Sequence, residues 1–142
     1  MNKALGDKIK KLFLTKWYKN KAKEFEIDSF SAGGCYLVMK ALRKVFGGEE
    51  WAVAEYDKDS NDWPLDHYVL KIGDLFLDSD GLHTEEELLA NVFSGYHKKR
   101  LKDLQTRLAP IRSKWSGEGL WQGDHLYDKE TADRIVNDAK KF

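Results

Sequence analysis

His67-Tyr68-Val69-Leu70-Lys71-Ile72-Gly73-Asp74-Leu75-Phe76-Leu77-Asp78-Ser79-Asp80-Gly81 is the stretch on which the fold turns. Gly73-Asp74 is a two-residue turn signal between two apolar-rich runs, so the segment predicts a β-hairpin. With that turn, Ile72 faces Leu75, Leu70 faces Leu77 and His67 faces Asp80. Opposed residues share a sheet face, and faces alternate along each strand. One face then carries Tyr68, Leu70, Ile72, Leu75 and Leu77, a core surface. The other carries His67, Val69, Lys71, Phe76, Asp78 and Asp80. An imidazole and two carboxylates thus stand on one side of one hairpin, Asp80 directly opposite His67 and Asp78 diagonal to it. A one-residue change of turn length flips the register, so both aspartates stay open as its partner.

Working outward, residues 51–56 predict another strand, followed by a polar loop over 57–64. Residues 3–26 predict one amphipathic helix, because Leu5, Ile9, Leu12, Phe13 and Trp17 recur at three- and four-residue steps. Asp28, Ser29 and Ser31 break that pattern, Gly33-Gly34 bend the chain, and a second helix runs from Cys35 to Phe46 before Gly47-Gly48. Residues 75–79 form the second hairpin strand, closed by Asp80-Gly81. Thr84 followed by Glu87 is a capping box that opens a short helix. Residues 96–108 read as a basic helix stopped by Pro110, 111–128 show no period, and 131–140 predict a last helix. The order of helices, strands and helices, without repeat or linker, predicts one α+β domain over 1–142: N-terminal helices on a small antiparallel sheet, then C-terminal helices.

Composition narrows the function. The chain has 142 residues, 42% hydrophobic and 13% aromatic with five Trp, which suffices for a core of its own. Lys+Arg and Asp+Glu both number 24, so net charge is zero and no global attraction to nucleic acid or anionic lipid exists. A single cysteine excludes an intramolecular disulfide and a four-cysteine zinc site. Lysines interrupt every apolar run, so neither a signal peptide nor a membrane span is read, and a cytoplasmic chain without membrane partner is expected.

Cys35 is where chemistry is expected. It follows Gly33-Gly34 at the first turn of a helix, where unpaired N–H groups and the helix dipole favour a thiolate. Glycine there lets the backbone approach a substrate closely, and the same N–H groups suit an oxyanion. A thiolate nucleophile needs a proton carrier, and His67 with a carboxylate beside it has that chemistry. Singly, each residue has a plainer reading: a lone cysteine is usually a small buried hydrophobe, and histidine or aspartate at a strand end an ordinary polar group. The combination, in this order and register, points beyond those readings.

These residues resemble the papain-like and transglutaminase-like cysteine superfamily over roughly residues 29–81: Gly33-Gly34-Cys35 on a helix start, His67 opening a strand, then Gly73 to Gly81. The resemblance implies a helix-opening nucleophile packed on an antiparallel sheet, with Cys35 as nucleophile, His67 as general base and acid, and Asp78 as orienting acid. Papain-like proteases carry glutamine six residues before the cysteine as an oxyanion donor. Here Ser29 holds that place, with Ser31 or a backbone N–H as substitutes.

The expected reaction is therefore thiol-mediated acyl chemistry on an amide, without cofactor or metal: peptide or isopeptide hydrolysis, or side-chain deamidation. Gly34 and Cys35 N–H groups and Ser29 are the candidate oxyanion donors, Trp121 a candidate groove residue, and loops 57–65 and 111–128 the expected contacts to a protein or peptide substrate. His125 is a second candidate base. His83 with His67 and an aspartate is the nearest approach to a metal set, but no helix-spaced histidine pair exists. Two other classes are weighed: a non-catalytic phage or mobile-element protein that binds a host factor through its aromatic loop, and a small nucleic-acid-associated protein using the basic run 97–102. The zero net charge argues against the second.

Overall fold

The computed structural model describes residues 3–55, 65–92, 106–111 and 126–142. Helices α1 (Lys3–Phe13), α2 (Lys16–Glu24) and α3 (Cys35–Phe46) lead into strands β1 (Glu49–Glu55), β2 (Leu65–Ile72), β3 (Leu75–Asp78) and β4 (Gly81–His83). Helix α4 (Glu85–Val92), strand β5 (Thr106–Pro110) and helix α5 (Lys129–Ala139) follow. The five strands form one antiparallel sheet in the order β4-β3-β2-β1-β5. The class is α+β. Among the described residues no helix is long and apolar enough to cross a membrane.

The hairpin register is as the turn predicts, with Ile72 across from Leu75 and Leu70 across from Leu77. Both faces of the sheet are buried. Ala52, Ala54, Tyr68, Leu70 and Leu77 pack with Ile9, Phe13, Leu37, Leu42 and Ile135 from the helices. On the opposite face Val53, Val69 and Phe76 are covered by Leu88 of α4. Glu87 N–H donates to Thr84 Oγ1 (3.2 Å) and Thr84 N–H to Glu87 Oε1 (3.0 Å), the reciprocal cap that starts α4 where the sequence places it.

Four expectations change. The single helix over 3–26 is two helices. Thr15 takes an extended backbone, and its hydroxyl donates to Leu12 O (2.7 Å), closing α1. The break folds Tyr18 back onto Phe13 and Phe30, with ring centroids 4.8 and 5.8 Å away, which an unbroken stripe would not allow. Second, 106–108 belong to edge strand β5 rather than to a basic helix: Leu108 lies across from Val53 in the sheet, a long-range pairing that no local period announces. The remainder of that segment, with the basic run 97–102, lies outside the described residues, as does the loop 57–64. Third, Gly81–His83 is a strand of its own, paired with β3. Fourth, His67 does not face Asp80; it lies across from Val53 of β1, and Asp80 sits in the β3–β4 turn.

Helix α1 is seated against β4 through Gly6, where an added Cβ would lie 2.7 Å from both Leu82 N and Leu82 Cβ. Gly6→Ala adds about 1 kcal/mol of helix propensity. The clash with backbone outweighs it, and urea denaturation is expected to show a net loss of about 1–2 kcal/mol. A more stable variant would contradict this seating.

Candidate active site

Cys35 opens α3, whose first intrahelical bond runs from Val38 N–H to Gly34 O (3.1 Å). The preceding chain is held by a tight turn: Ala32 N–H donates to Ser29 O (3.2 Å) and to Ser29 Oγ (3.1 Å). Gly33 takes φ +117°, and Gly34 is buried so closely that a Cβ would lie 2.7 Å from Phe30 Cδ1. Glycine at 34 thus serves internal packing that aims the helix start, rather than the open substrate approach expected of it. Cys35 itself is partly buried and keeps some exposure.

His67 lies near the start of β2, beside an irregularity in the β1–β2 register between Val53 and Ala54. Its side chain is hydrogen-bonded to Asp78 on one side and stands close enough to Cys35 on the other to favour the thiolate. Nε2 donates to Asp78 Oδ2 at 2.9 Å, which leaves Nδ1 as the ring nitrogen for the sulfur. Asp78 ends β3 and is 5% exposed; His67 is 7% exposed. The second carboxylate oxygen, Oδ1, accepts from Asp80 N–H (2.8 Å) and from His83 Nε2 (2.9 Å). Asp78, not Asp80, is the carboxylate that meets His67.

Electrostatics follow from these contacts. Burial pushes the Cys35 thiol up, but the hydrogen bond and charge of His67, helped by backbone hydrogen bonds from Tyr68 and Tyr36, bring it below its ordinary value. For His67, burial disfavours the cation, yet Asp78 and Cys35 prevail and push it up to about 10. Burial likewise raises Asp78, and the two imidazoles overcome it, holding the carboxyl at about 2. Tyr68, raised chiefly by burial, is raised further by the charge of Cys35. The three groups favour one another's charged forms, the carboxylate the imidazolium and the imidazolium the thiolate.

A cleft of about 310 Å³ opens on His67 and Asp78, lined also by Ser31, Ala32 and Asp80 and by Leu88, Asn91 and Val92 of α4. Of the sequence candidates, Cys35, His67 and Asp78 come together. Ser31 rather than Ser29 lines the cleft; Ser29 lines a separate cavity with Phe13 and Tyr18, and its Oγ lies 3.0 Å from Ser31 Oγ. Trp121 and His125 lie outside the described residues. A second cleft, about 580 Å³, runs beside Tyr36, but its Lys40 is paired with Glu50 (2.7 Å) and its Arg43 donates to Gly48 O (3.2 Å).

His83 is the site residue that sequence reading did not place. Its signal was present: extending the hairpin logic through Ser79-Asp80 as a turn puts Asp78 across from Gly81 and Phe76 across from His83, on the carboxylate's face. Each histidine spends its Nε2 on the carboxylate, and among the described residues no group of three or more His, Cys, Asp or Glu is arranged to hold a metal ion. Comparison with protein-family models, curated proteins and solved structures finds no match.

Two outcomes are expected. Iodoacetamide labelling of Cys35 has its pH midpoint below the ordinary thiol value, and His67→Ala shifts that midpoint upward, because burial then acts without the imidazolium. For stability, the folded Asp78 value of about 2 lies below the ordinary aspartate value of 3.8. Its contribution is fully present above about 4 and is lost as pH falls through 2. Denaturation curves of wild type and Asp78→Asn should therefore converge across that interval; a constant gap would contradict the ionised carboxylate.

Proposed function

We propose that this chain is a thiol-dependent amide hydrolase or deamidase with a papain-like or transglutaminase-like organisation. The observation that carries the reading is the meeting of Cys35, His67 and Asp78, from a helix start and two adjacent strands in that chain order, with His67 bonded to Asp78 and acting on Cys35. A buried structural cysteine has no need of an imidazole held protonated by a buried carboxylate.

In this reading the Cys35 thiolate attacks the amide carbonyl carbon, and the oxygen takes the negative charge beside N–H groups at the start of α3, with those of Gly34 and Cys35 as the candidate donors. The tetrahedral adduct collapses with cleavage of the C–N bond, and His67 gives its proton to the departing nitrogen. An amine leaves from a peptide or isopeptide, ammonia from a side-chain amide. Water, deprotonated by the now neutral His67, attacks the thioester; the acid departs and the thiolate–imidazolium pair returns. Asp78 keeps the ring oriented and stabilises its cation without itself taking the proton. The cleft of about 310 Å³ beside His67 and Asp78 is not enclosed, which suits a segment of a protein or peptide better than a buried metabolite.

The test is a library of glutamine-containing and isopeptide-linked peptides read by mass. Wild type is expected to produce cleavage or deamidation that Cys35→Ala reduces by at least about a thousandfold. Asp78→Asn should lower turnover by about a hundredfold or more while the fold, judged by circular dichroism, is retained. Equal activity of wild type and Cys35→Ala would remove the proposal.

A further inference from the structure

His83 stands outside the three-residue series, yet it is 7% exposed and its Nε2 lies 2.9 Å from the carboxylate. One step beyond the Leu70–Leu77 pair, Asp78 stands opposite Val69, so His67 is its diagonal neighbour on β2. On the other side Asp78 pairs with Gly81, so His83 is its diagonal neighbour on β4. The carboxylate is thus gripped from both flanking strands, one oxygen per imidazole, and Asp80 N–H adds a second donor to the oxygen that His83 holds.

We propose that His83 is a positioning residue: by clamping Oδ1 of Asp78 it fixes Oδ2 on His67 and makes the working unit Cys35–His67–Asp78–His83. A carboxylate at a strand end turns about its side-chain bonds unless both oxygens are held, and rotation would release His67 from the carboxylate that orients it. Asp80 N–H alone leaves that oxygen with a single donor on the same short turn, whereas His83 ties it to a separate strand. The groups facing His83 favour its donor role: Asp78 from β3, Asp80 from the turn and Glu87 from α4, with Lys3 of α1 acting on Glu87. Burial works against protonation of His83, and these carboxylates raise it above the ordinary histidine value.

The inference rests on the acyl-transfer reading, and its test uses readouts that need no substrate. Iodoacetamide labelling of Cys35 at neutral pH and the NMR titration of the His67 ring are measured in wild type, His83→Ala and His83→Gln. Glutamine retains an N–H donor and lacks the charge. In His83→Ala the labelling rate is expected to fall by about tenfold and the His67 midpoint to move down; in His83→Gln both stay close to wild type. Unchanged behaviour of His83→Ala, or an upward shift of the midpoint in both variants, overturns the clamp: the first makes His83 a bystander, the second makes it a charge only. Should His83→Ala not fold, wild type decides, since the clamp requires an exchange-protected proton on His83 Nε2 and a bare Nε2 would overturn it. Slow labelling of wild type itself contradicts the acyl-transfer reading instead, so the two failures are distinguishable.

Discussion

A carboxylate removed from water is the constraint around which the centre of this molecule is arranged. Stripping an ion of its hydration costs several kcal/mol, and Asp78 is almost fully covered. It stays ionised because three donors from three chain segments meet it: His67 from β2, His83 from β4 and the Asp80 amide from the turn between β3 and β4. Its negative charge in turn keeps His67 cationic, and that cation keeps the sulfur of Cys35 below the ordinary thiol range. One ion pair therefore sets the protonation of the next. Removing any member leaves a buried charge without a counterpart, a change that typically costs about 3–5 kcal/mol.

The sheet gives this chain of charges its rigidity because it is packed on both faces. Tyr68, Leu70 and Leu77 look into the helices, while Val69 and Phe76 look into α4. A strand clamped in this way cannot slip by a residue without exchanging its two apolar sets, so the diagonal relation of His67 and His83 to Asp78 is fixed by packing rather than by the polar contacts alone. The helix that carries Cys35 is placed with similar economy. Its buried stripe of Leu37, Val38, Ala41 and Leu42 seats it on the sheet, and the close approach of Gly34 to Phe30 sets where its first turn begins.

Much of this was legible in the residues. The Gly73-Asp74 turn, the strict alternation on either side of it and the Thr84–Glu87 cap are local signals, and local signals survive folding. The start of α3 at Cys35 was equally readable, since Gly33-Gly34 interrupts an apolar period that resumes with helical spacing. What escaped was set by distant partners. Among the described residues strand β5 pairs with β1 alone, far back in the chain, and three-residue β4 is too short for alternation to register. The choice between Asp78 and Asp80 depended on where β3 ends, because an early turn carries Asp80 off the ladder and leaves its amide, not its carboxylate, in the cluster. His83 was visible as a residue type, but its place at the site needed that same turn to be read as a hairpin.

The spectral signature of the ionised sulfur addresses the central claim most directly. Thiolate absorbs in the ultraviolet where a thiol does not, so the difference between wild type and Cys35→Ser across pH reports the charge on this one atom. The account predicts an inflection below the ordinary thiol value that moves upward when His67 is replaced by alanine. An inflection at or above that value, indifferent to His67, would contradict it.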